Sequence, residues 1–189
     1  MPVESKLPYS RESLVELVEK GGEFDYYLFY GHKKSPDGTI TDACLSQWFE
    51  VAFEVDGIEY LTAEQFMMAE KARLFDDAEM LQEILTCKTP KEAKALGRKV
   101  RNFDKEAWDS ASFEIVVRGN QAKFSQNADL EKFLLSTAPK VLVEASPRDR
   151  IWGIGLGKAN PKALDPGQWR GRNQLGFALM KARDLLAEG

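Results

Sequence analysis

Two side chains of opposite charge, Glu64 and Lys71, are the strongest candidates for chemistry in this sequence. The pattern from Thr62 predicts a helix that runs to Phe75, on which residues seven apart share one face. Lys71 leans back toward Glu64 over about 10 Å, so a small substrate could fit between them. An ionised carboxylate beside a lysine can orient water or stabilise a developing cation. The same spacing also suits a solvated pair on an exposed face, and spacing alone favours that interpretation.

A glycine-punctuated segment, SPRDRIWGIGLG at 146–157, holds the second set of candidates, Asp149 and Trp152. Its alternating glycines would let backbone amides approach a ligand closely, and the arginines beside Asp149 could meet phosphate. The spacing follows no strand-to-helix phosphate fingerprint, however. A tight structural loop that packs Trp152 into the core explains the segment equally well.

The third set of candidates lies in WRGRNQLG at 169–176, where the last helix is predicted to begin. Asn173 would stand at the helix N-terminus, either as a cap or in an anion site with Arg170 and Arg172. A surface turn is an equally good interpretation. Arg98, within ALGRKV, is a further basic candidate that also suits a solvated helix face.

The counts of histidine and cysteine exclude several enzyme classes. His32 is the one histidine, which excludes every zinc site that needs two or more histidines from one chain. No G-x-S-x-G segment accompanies it, so a serine hydrolase is not expected. Cys44 and Cys87 form neither a C-x-x-C motif nor a disulfide framework. We therefore expect catalysis without a metal or another cofactor.

Length and charge favour one globular domain with a small ligand. The 189 residues suit a single domain, and the formal charge of −4 disfavours a broad nucleic-acid-binding face. The sequence contains neither a signal-peptide pattern nor an apolar run long enough to cross a membrane. We expect a cytoplasmic protein that does not bind membranes.

The periodicity predicts short strands followed by many helices and one late strand, which favours a compact, helix-rich α+β domain with a small antiparallel β region. Asp56-Gly57 is the strongest hairpin signal. The strands are predicted at 24–30, around this hairpin and at 140–145, and the helices at 11–20, 62–75, 76–85, from Thr89, 105–123, 128–136 and 173–186.

Four segments together resemble the NADAR domain family: LSQWFEVAFEVDGIEYLTAEQFMMAEKARLF, AKALGRKV, EASPRDRIWGIGLG and WRGRNQLGFALMKAR. They stand in the family's order, and the resemblance runs from about residue 28 to the C-terminus. It divides the chain into an N-terminal extension with a short helix, residues 1–25, and a NADAR-like domain, residues 26–189. Gln47 departs from the family pattern, because many members have Asn there.

The resemblance implies a single pocket and hydrolysis of an N-glycosidic bond at ribose C1. One branch of the family cleaves ribosylamino intermediates of riboflavin synthesis, and another removes ADP-ribose from nucleic-acid bases, notably guanine. The substrate would be either such a nucleotide-like small molecule or an ADP-ribosylated base.

By the same resemblance, residues at matching positions take roles in this chain. Glu64 and Lys71 would be catalytic, with Lys71 protonating the base or attacking C1. Asp149 would bind ribose hydroxyls or share the role of base. The substrate-binding residues would be Trp48, Arg98, Trp152 and Asn173.

Two further functions stay open at this point. A module that binds ADP-ribose or NAD without turnover would share the pocket but release no product. In a structural or regulatory domain, the motif residues would serve packing alone. The presence of both Glu64 and Lys71 favours catalysis, and the sequence leaves the oligomeric state open.

Overall fold

The computed structural model describes residues 7–189, which form seven α-helices, four β-strands and three short 3-10 helices. These residues fall into two compact units: 32–133, and 7–31 together with 134–189. The predicted helix-rich α+β class is confirmed. The elements in chain order are α1 (Arg11–Glu19), β1 (Tyr26–Phe29), β2 (Phe53–Val55), β3 (Ile58–Tyr60), α2 (Ala63–Leu74), α3 (Ala78–Thr86), α4 (Pro90–Gly97), α5 (Lys105–Ser125), α6 (Ala128–Ser136), β4 (Val141–Glu144) and α7 (Gln174–Glu188), with 3-10 helices at Asp42–Leu45, Pro161–Leu164 and Pro166–Gln168.

Helix α2 is the centre of the 32–133 unit and packs against α3, α4 and α5. Two glycines allow these close contacts. A Cβ on Gly97 of α4 would lie 2.0 Å from Met68 Sδ, and a Cβ on Gly119 of α5 would lie 2.5 Å from Phe66 Cδ1. Because no side chain fits at either point, the backbones of α4 and α5 lie directly against the side chains of α2.

The hairpin predicted at Asp56-Gly57 is confirmed. Strands β2 and β3 pair antiparallel, with Phe53 opposite Tyr60, and the turn residues have φ angles of +52° and +78°. Asp-Gly suits this turn because both central residues must adopt positive φ.

In the unit formed by 7–31 and 134–189, β1 and β4 form a parallel ladder from Tyr26↔Val141 to Phe29↔Glu144. The β region therefore contains a parallel pair besides the predicted antiparallel one. A parallel pair needs a long connection between its strands, and here more than a hundred residues separate them. Helix α7 packs on β4, where a Cβ on Gly176 would lie 2.1 Å from the carbonyl oxygen of Leu142.

Most helix starts follow the capping signals in the sequence. Thr62 accepts a hydrogen bond from the N–H of Gln65, and Thr89 forms a complete capping box with Glu92. The predicted start of α3 at Asp76 is wrong by one residue, because Asp77 is the cap. Asp76 instead adopts a left-handed conformation, with φ of +54°.

The described part of the predicted N-terminal extension contacts its own unit. The hydroxyl of Tyr9 donates to Asp184 at 2.6 Å, and Arg11 of α1 donates to the carbonyl oxygens of Pro166 and Gly167. The boundary at residue 25 stays a prediction, and residues 1–6 of the extension lie outside the described range. Within residues 7–189, no helix is both long enough and apolar enough to cross a membrane.

Candidate active site

Glu64 and Lys71 do not lie on a solvated helix face, so the interpretation favoured by spacing alone is wrong. Glu64 is 8% exposed, and Lys71 is half-buried. Met68, between them, is buried against Gly97. Burial of a carboxylate has an energetic cost that a solvated surface residue does not carry. This face of α2 is therefore a candidate for function.

The ammonium group of Lys71 lies over two aromatic rings. Its Nζ is 4.6 Å from the ring centroid of Phe103 and 5.6 Å from that of Trp108. Burial lowers the pKa of Lys71 below its usual value; the negative charge of Glu64 opposes this shift, and the positive charge of Arg98 adds to it. Burial therefore makes this lysine lose its proton more readily than a lysine in water.

Phe103 reaches Lys71 from the connection between α4 and α5, which is anchored to the start of α3. Arg101 donates to Asp77 through its backbone N–H at 2.8 Å and its guanidinium at 2.7 Å, and these bonds hold the pKa of Asp77 well below its usual range. Phe103 then packs edge-on against Phe75, with ring centroids 5.4 Å apart. It is still 48% exposed. Half of this aromatic surface is thus open to a ligand.

Trp48 is half-buried in the same unit and linked to the start of α2. The carbonyl oxygen of the preceding Gln47 accepts the N–H of Glu64 at 3.0 Å. The ring centroids of Trp48 and His32 are 5.6 Å apart. Nζ of Lys94 lies 5.8 Å from the ring centroid of Trp48. An aromatic ring with a lysine beside it can stack on a base and attract an anionic group.

Arg98 is exposed at the C-terminus of α4, next to Gly97. Four predicted site residues thus belong to the 32–133 unit. Electrostatic effects connect Arg98, Glu64 and Lys71, and the hydrogen bond of Gln47 connects the Trp48 segment to Glu64. Sequence reasoning missed Phe103, Trp108, Lys94 and His32, because no local pattern shows that separate segments converge on α2.

In the unit formed by 7–31 and 134–189, the carboxylate of Asp149 accepts hydrogen bonds from the backbone of its own loop. Its Oδ1 accepts the N–H of Ile151 at 2.9 Å and that of Trp152 at 2.8 Å. The neighbouring glycines serve close packing: a Cβ on Gly153 would lie 2.9 Å from Cβ of Ser146. This part of the segment is therefore a tight loop, but Trp152 is only half-buried, so the packing of its ring into the core, which that interpretation included, is incomplete.

Asn173 is fully buried, and both ends of its amide bind β4. Its Oδ1 accepts the N–H of Glu144 at 2.9 Å, and its Nδ2 donates to the carbonyl oxygen of Leu142 at 2.9 Å. It stands before α7 with φ of +53° and makes no side-chain cap bond. The structure thus gives Asn173 a structural contact in place of the predicted cap.

An anion site at the start of α7 was one of the alternatives that the sequence left open, and the first amides of the helix already have partners there. The first two amides of the helix, those of Gln174 and Leu175, donate to the carbonyl oxygens of Ile151 and Trp152, each at 3.1 Å. An anion site at a helix N-terminus needs such amides to be available. Here the glycine-rich loop already occupies them.

Metal ligands are not clustered in the described residues. Within 7–189, no group of three or more His, Cys, Asp or Glu side chains is placed to hold a metal ion. Cys44 and Cys87 are both free thiols.

The family model described as NADAR domain matches residues 28–187 of the chain, across most of both units. The chain belongs to the NADAR family. A relative of this NADAR protein in Acanthamoeba polyphaga mimivirus, named as an N-glycosidase, is 46% identical over 84% of the chain and 95% of the relative. The N-glycosidase YbiA of Escherichia coli (strain K12) is 34% identical over 71% of the chain and 75% of YbiA.

A solved structure agrees with these sequence relationships. The NMR structure of E. coli YbiA matches with a TM-score of 0.69 and 27% identity, covering 96% of this chain and 94% of the YbiA chain. The NADAR protein is accordingly a hydrolase acting on N-glycosyl compounds.

Proposed function

We propose that this NADAR protein cleaves the bond between ribose C1 and a nitrogen of a ribosylated base, at the face of α2 that carries Glu64 and Lys71. One observation carries the proposal. Nζ of Lys71 lies over the rings of Phe103 and Trp108, with a pKa lowered by burial, on the same helix as a buried carboxylate. Titratable groups with pKa values shifted by burial and by neighbouring charges cluster at functional sites, which supports this assignment.

The proposed roles follow from the charges that develop in the reaction. Cleavage of a ribosyl C1–N bond leaves positive charge at C1 and negative charge on the departing base. Glu64 stabilises the cation or activates a water molecule. Asp149 would bind ribose hydroxyls or share the role of base, as the family resemblance implies, and this stays a prediction.

Lys71 acts as the nucleophile when its amine is neutral. Its nitrogen forms a bond to C1 as the C1–N bond of the base breaks, and the departing base takes the proton that the new ammonium group at Nζ loses. The ribosyl ring then opens to give a Schiff base between C1 and Nζ. Water adds to this Schiff base and releases the sugar, which returns Lys71 to the free amine.

The substrate is proposed to be ADP-ribosylated guanine or a ribosylaminopyrimidine intermediate of riboflavin synthesis. Trp48 would stack on the base, and the nearby cations of Lys94 and Arg98 would favour a substrate that carries phosphate. Trp152 is a second candidate for stacking. Asn173 would affect the substrate indirectly, by holding β4, because both ends of its amide are hydrogen-bonded to that strand.

The cellular setting is proposed to be cytoplasmic, with no cofactor. Support for a reducing compartment comes from the two free thiols.

Two candidate substrates and one inactive variant test the proposal. The pure protein is incubated with ADP-ribosylated guanosine and with the ribosylaminopyrimidine, and the products are identified by mass spectrometry. We expect release of the free base from one of them, and none from Glu64→Gln, which keeps the size of the buried side chain. Binding of either substrate without release would favour the alternative, a non-catalytic ADP-ribose or NAD-binding module. The matched control is Lys91→Ala, at an exposed lysine on α4.

A further inference from the structure

Helix α5 presents a row of polar side chains to the segment that carries Trp48. Asn120 and Lys123 are spaced three apart and so share one face of α5, and Asn127 follows two residues after the end of the helix. Asn127 donates to the carbonyl oxygen of Ala52 at 3.2 Å. The other two bind the segment closer to Trp48, and both are fully buried.

Lys123 holds the backbone just before Trp48. Its Nζ donates to the carbonyl oxygens of Cys44 and Ser46, at 2.7 and 2.9 Å. Nζ also lies 5.6 Å from the ring centroid of Phe49. Burial lowers the pKa of Lys123 to about 7, and the Cys44 thiol opposes this shift weakly. A neutral amine keeps two N–H donors, which match these two carbonyl oxygens.

Asn120 connects α5 to the catalytic face through Gln47. Its Nδ2 donates to Oε1 of Gln47 at 2.8 Å, and the carbonyl oxygen of Gln47 accepts the N–H of Glu64 at 3.0 Å. The chain of contacts therefore runs from α5 through one residue to the first turn of α2. Gln47 is also the position at which this sequence departs from the family pattern.

A buried lysine is a costly way to fill a core, because an apolar side chain of similar size packs there without desolvating an amine. The two carbonyl oxygens explain its presence. We propose that Lys123 and Asn120 are positioning residues that fix Trp48 and the Glu64 turn of α2 for catalysis, an inference that rests on the proposed function.

The first test observes Trp48 without any substrate. The protein contains four tryptophans, so 5-fluorotryptophan labelling gives four ¹⁹F resonances, and Trp48→Phe identifies that of Trp48. In Lys123→Met we expect the Trp48 resonance to shift or broaden while the other three stay in place. Gln126→Ala is the matched control, because the side chain of Gln126, the C-cap residue of α5, forms two hydrogen bonds with the backbone of Glu54. It should leave all four resonances unchanged.

Two results would overturn the positioning role. One is an unchanged Trp48 resonance in Lys123→Met, and the other is an equal shift of all four resonances, which indicates a general loss of structure. If Lys123→Met does not fold, Asn120→Leu provides the same test, because it frees Gln47 next to Trp48.

The second test uses a substrate that the wild-type protein turns over. We expect Lys123→Met to raise KM at least about ten-fold, because Trp48 loses its placement, and Asn120→Leu to lower kcat by a similar factor through Glu64. Gln126→Ala should change neither constant. If KM and kcat of all three variants equalled those of the wild-type protein, the positioning role would be refuted. If the wild-type protein releases no base from any ribosylated substrate, the proposed function fails, and the ¹⁹F spectra alone decide the positioning.

Discussion

In the 32–133 unit, the predicted site residues lie at a partly open aromatic surface, whereas in the other unit they bind backbone groups of their own fold. Lys71 lies against Phe103, which is 48% exposed. Asn173, by contrast, is fully buried with its amide bound to β4, and Asp149 binds two amides of its own loop. Among the side chains that match family motifs, Lys71 thus contacts a partly exposed ring, whereas Asp149 and Asn173 bind backbone groups.

This difference gives the two units different expected responses to substitution. Removal of a group that acts on a substrate lowers the rate and leaves stability nearly unchanged. Removal of a group that pairs buried backbone atoms lowers the free energy of unfolding, because those atoms lose a partner. Kinetics and unfolding measured on the same variants therefore test the comparison.

The largest effect is expected for Lys71→Ala. If Lys71 is the nucleophile, kcat should fall by about 10³-fold or more, which corresponds to about 4 kcal/mol of lost transition-state stabilisation. The free energy of unfolding should change by no more than about 1 kcal/mol, since the side chain is half-buried. Steady-state kinetics and urea unfolding measure the two quantities. A kcat close to that of Lys91→Ala would remove Lys71 from the mechanism.

Asn173→Ala should have the opposite profile. It leaves the N–H of Glu144 and the carbonyl oxygen of Leu142 without the side-chain amide, at about 1–3 kcal/mol for each group. We expect the free energy of unfolding to fall by about 2–6 kcal/mol, with KM unchanged at temperatures where the variant is folded. A raised KM at unchanged stability would instead mean that Asn173 contacts the substrate.

A smaller, pH-dependent effect is expected from Lys123. Its pKa is about 7 in the folded protein, against 10.5 ordinarily, so between these values the unfolded chain binds a proton that the folded chain does not. The free energy of unfolding therefore rises with pH over this range, by at most about 1.4 kcal/mol per pH unit, and the gain is lost as pH falls toward 7. Urea unfolding at about pH 7.5 and about pH 9 should show this slope in the wild type. The same slope is measured for Lys123→Met and subtracted, which removes the contribution of the other titrating groups. Equal slopes in the two proteins would contradict the lowered pKa of Lys123.

No change at all is expected on removal of metal ions. The single histidine and separate cysteines of this sequence do not form a transition-metal site, so activity in EDTA should equal activity without it. If EDTA abolished turnover and a divalent cation restored it, the mechanism would need a carboxylate site that neither unit has been assigned.

Local signals in the sequence were sufficient for most elements and for placing Glu64 and Lys71 on one helix, but not for their burial. Asp56-Gly57, Thr89 with Glu92, and the helical spacing of Glu64 and Lys71 all act within a few residues of the chain. Local patterns therefore predicted the hairpin, the capping box and the shared face.

The remaining features depend on contacts between distant segments. Phe103 contacts Lys71 from a connection that Arg101 anchors to Asp77, twenty-four residues earlier. Lys123 resembles any other helical lysine until its two carbonyl partners are known. Asn173 likewise fits a cap or an anion site in sequence, and only the packing of α7 on β4 shows where its amide binds.

The central claim is that the Lys71 amine, neutral for part of the time, forms a bond to ribose C1. Sodium borohydride added during turnover reduces a Schiff base to a stable secondary amine, which peptide mass spectrometry can locate. We predict a sugar-derived mass on the peptide that contains Lys71, and no such mass in Lys71→Ala or without substrate. Accumulation of product with no adduct on that peptide would contradict the claim and would favour direct attack by water guided by Glu64.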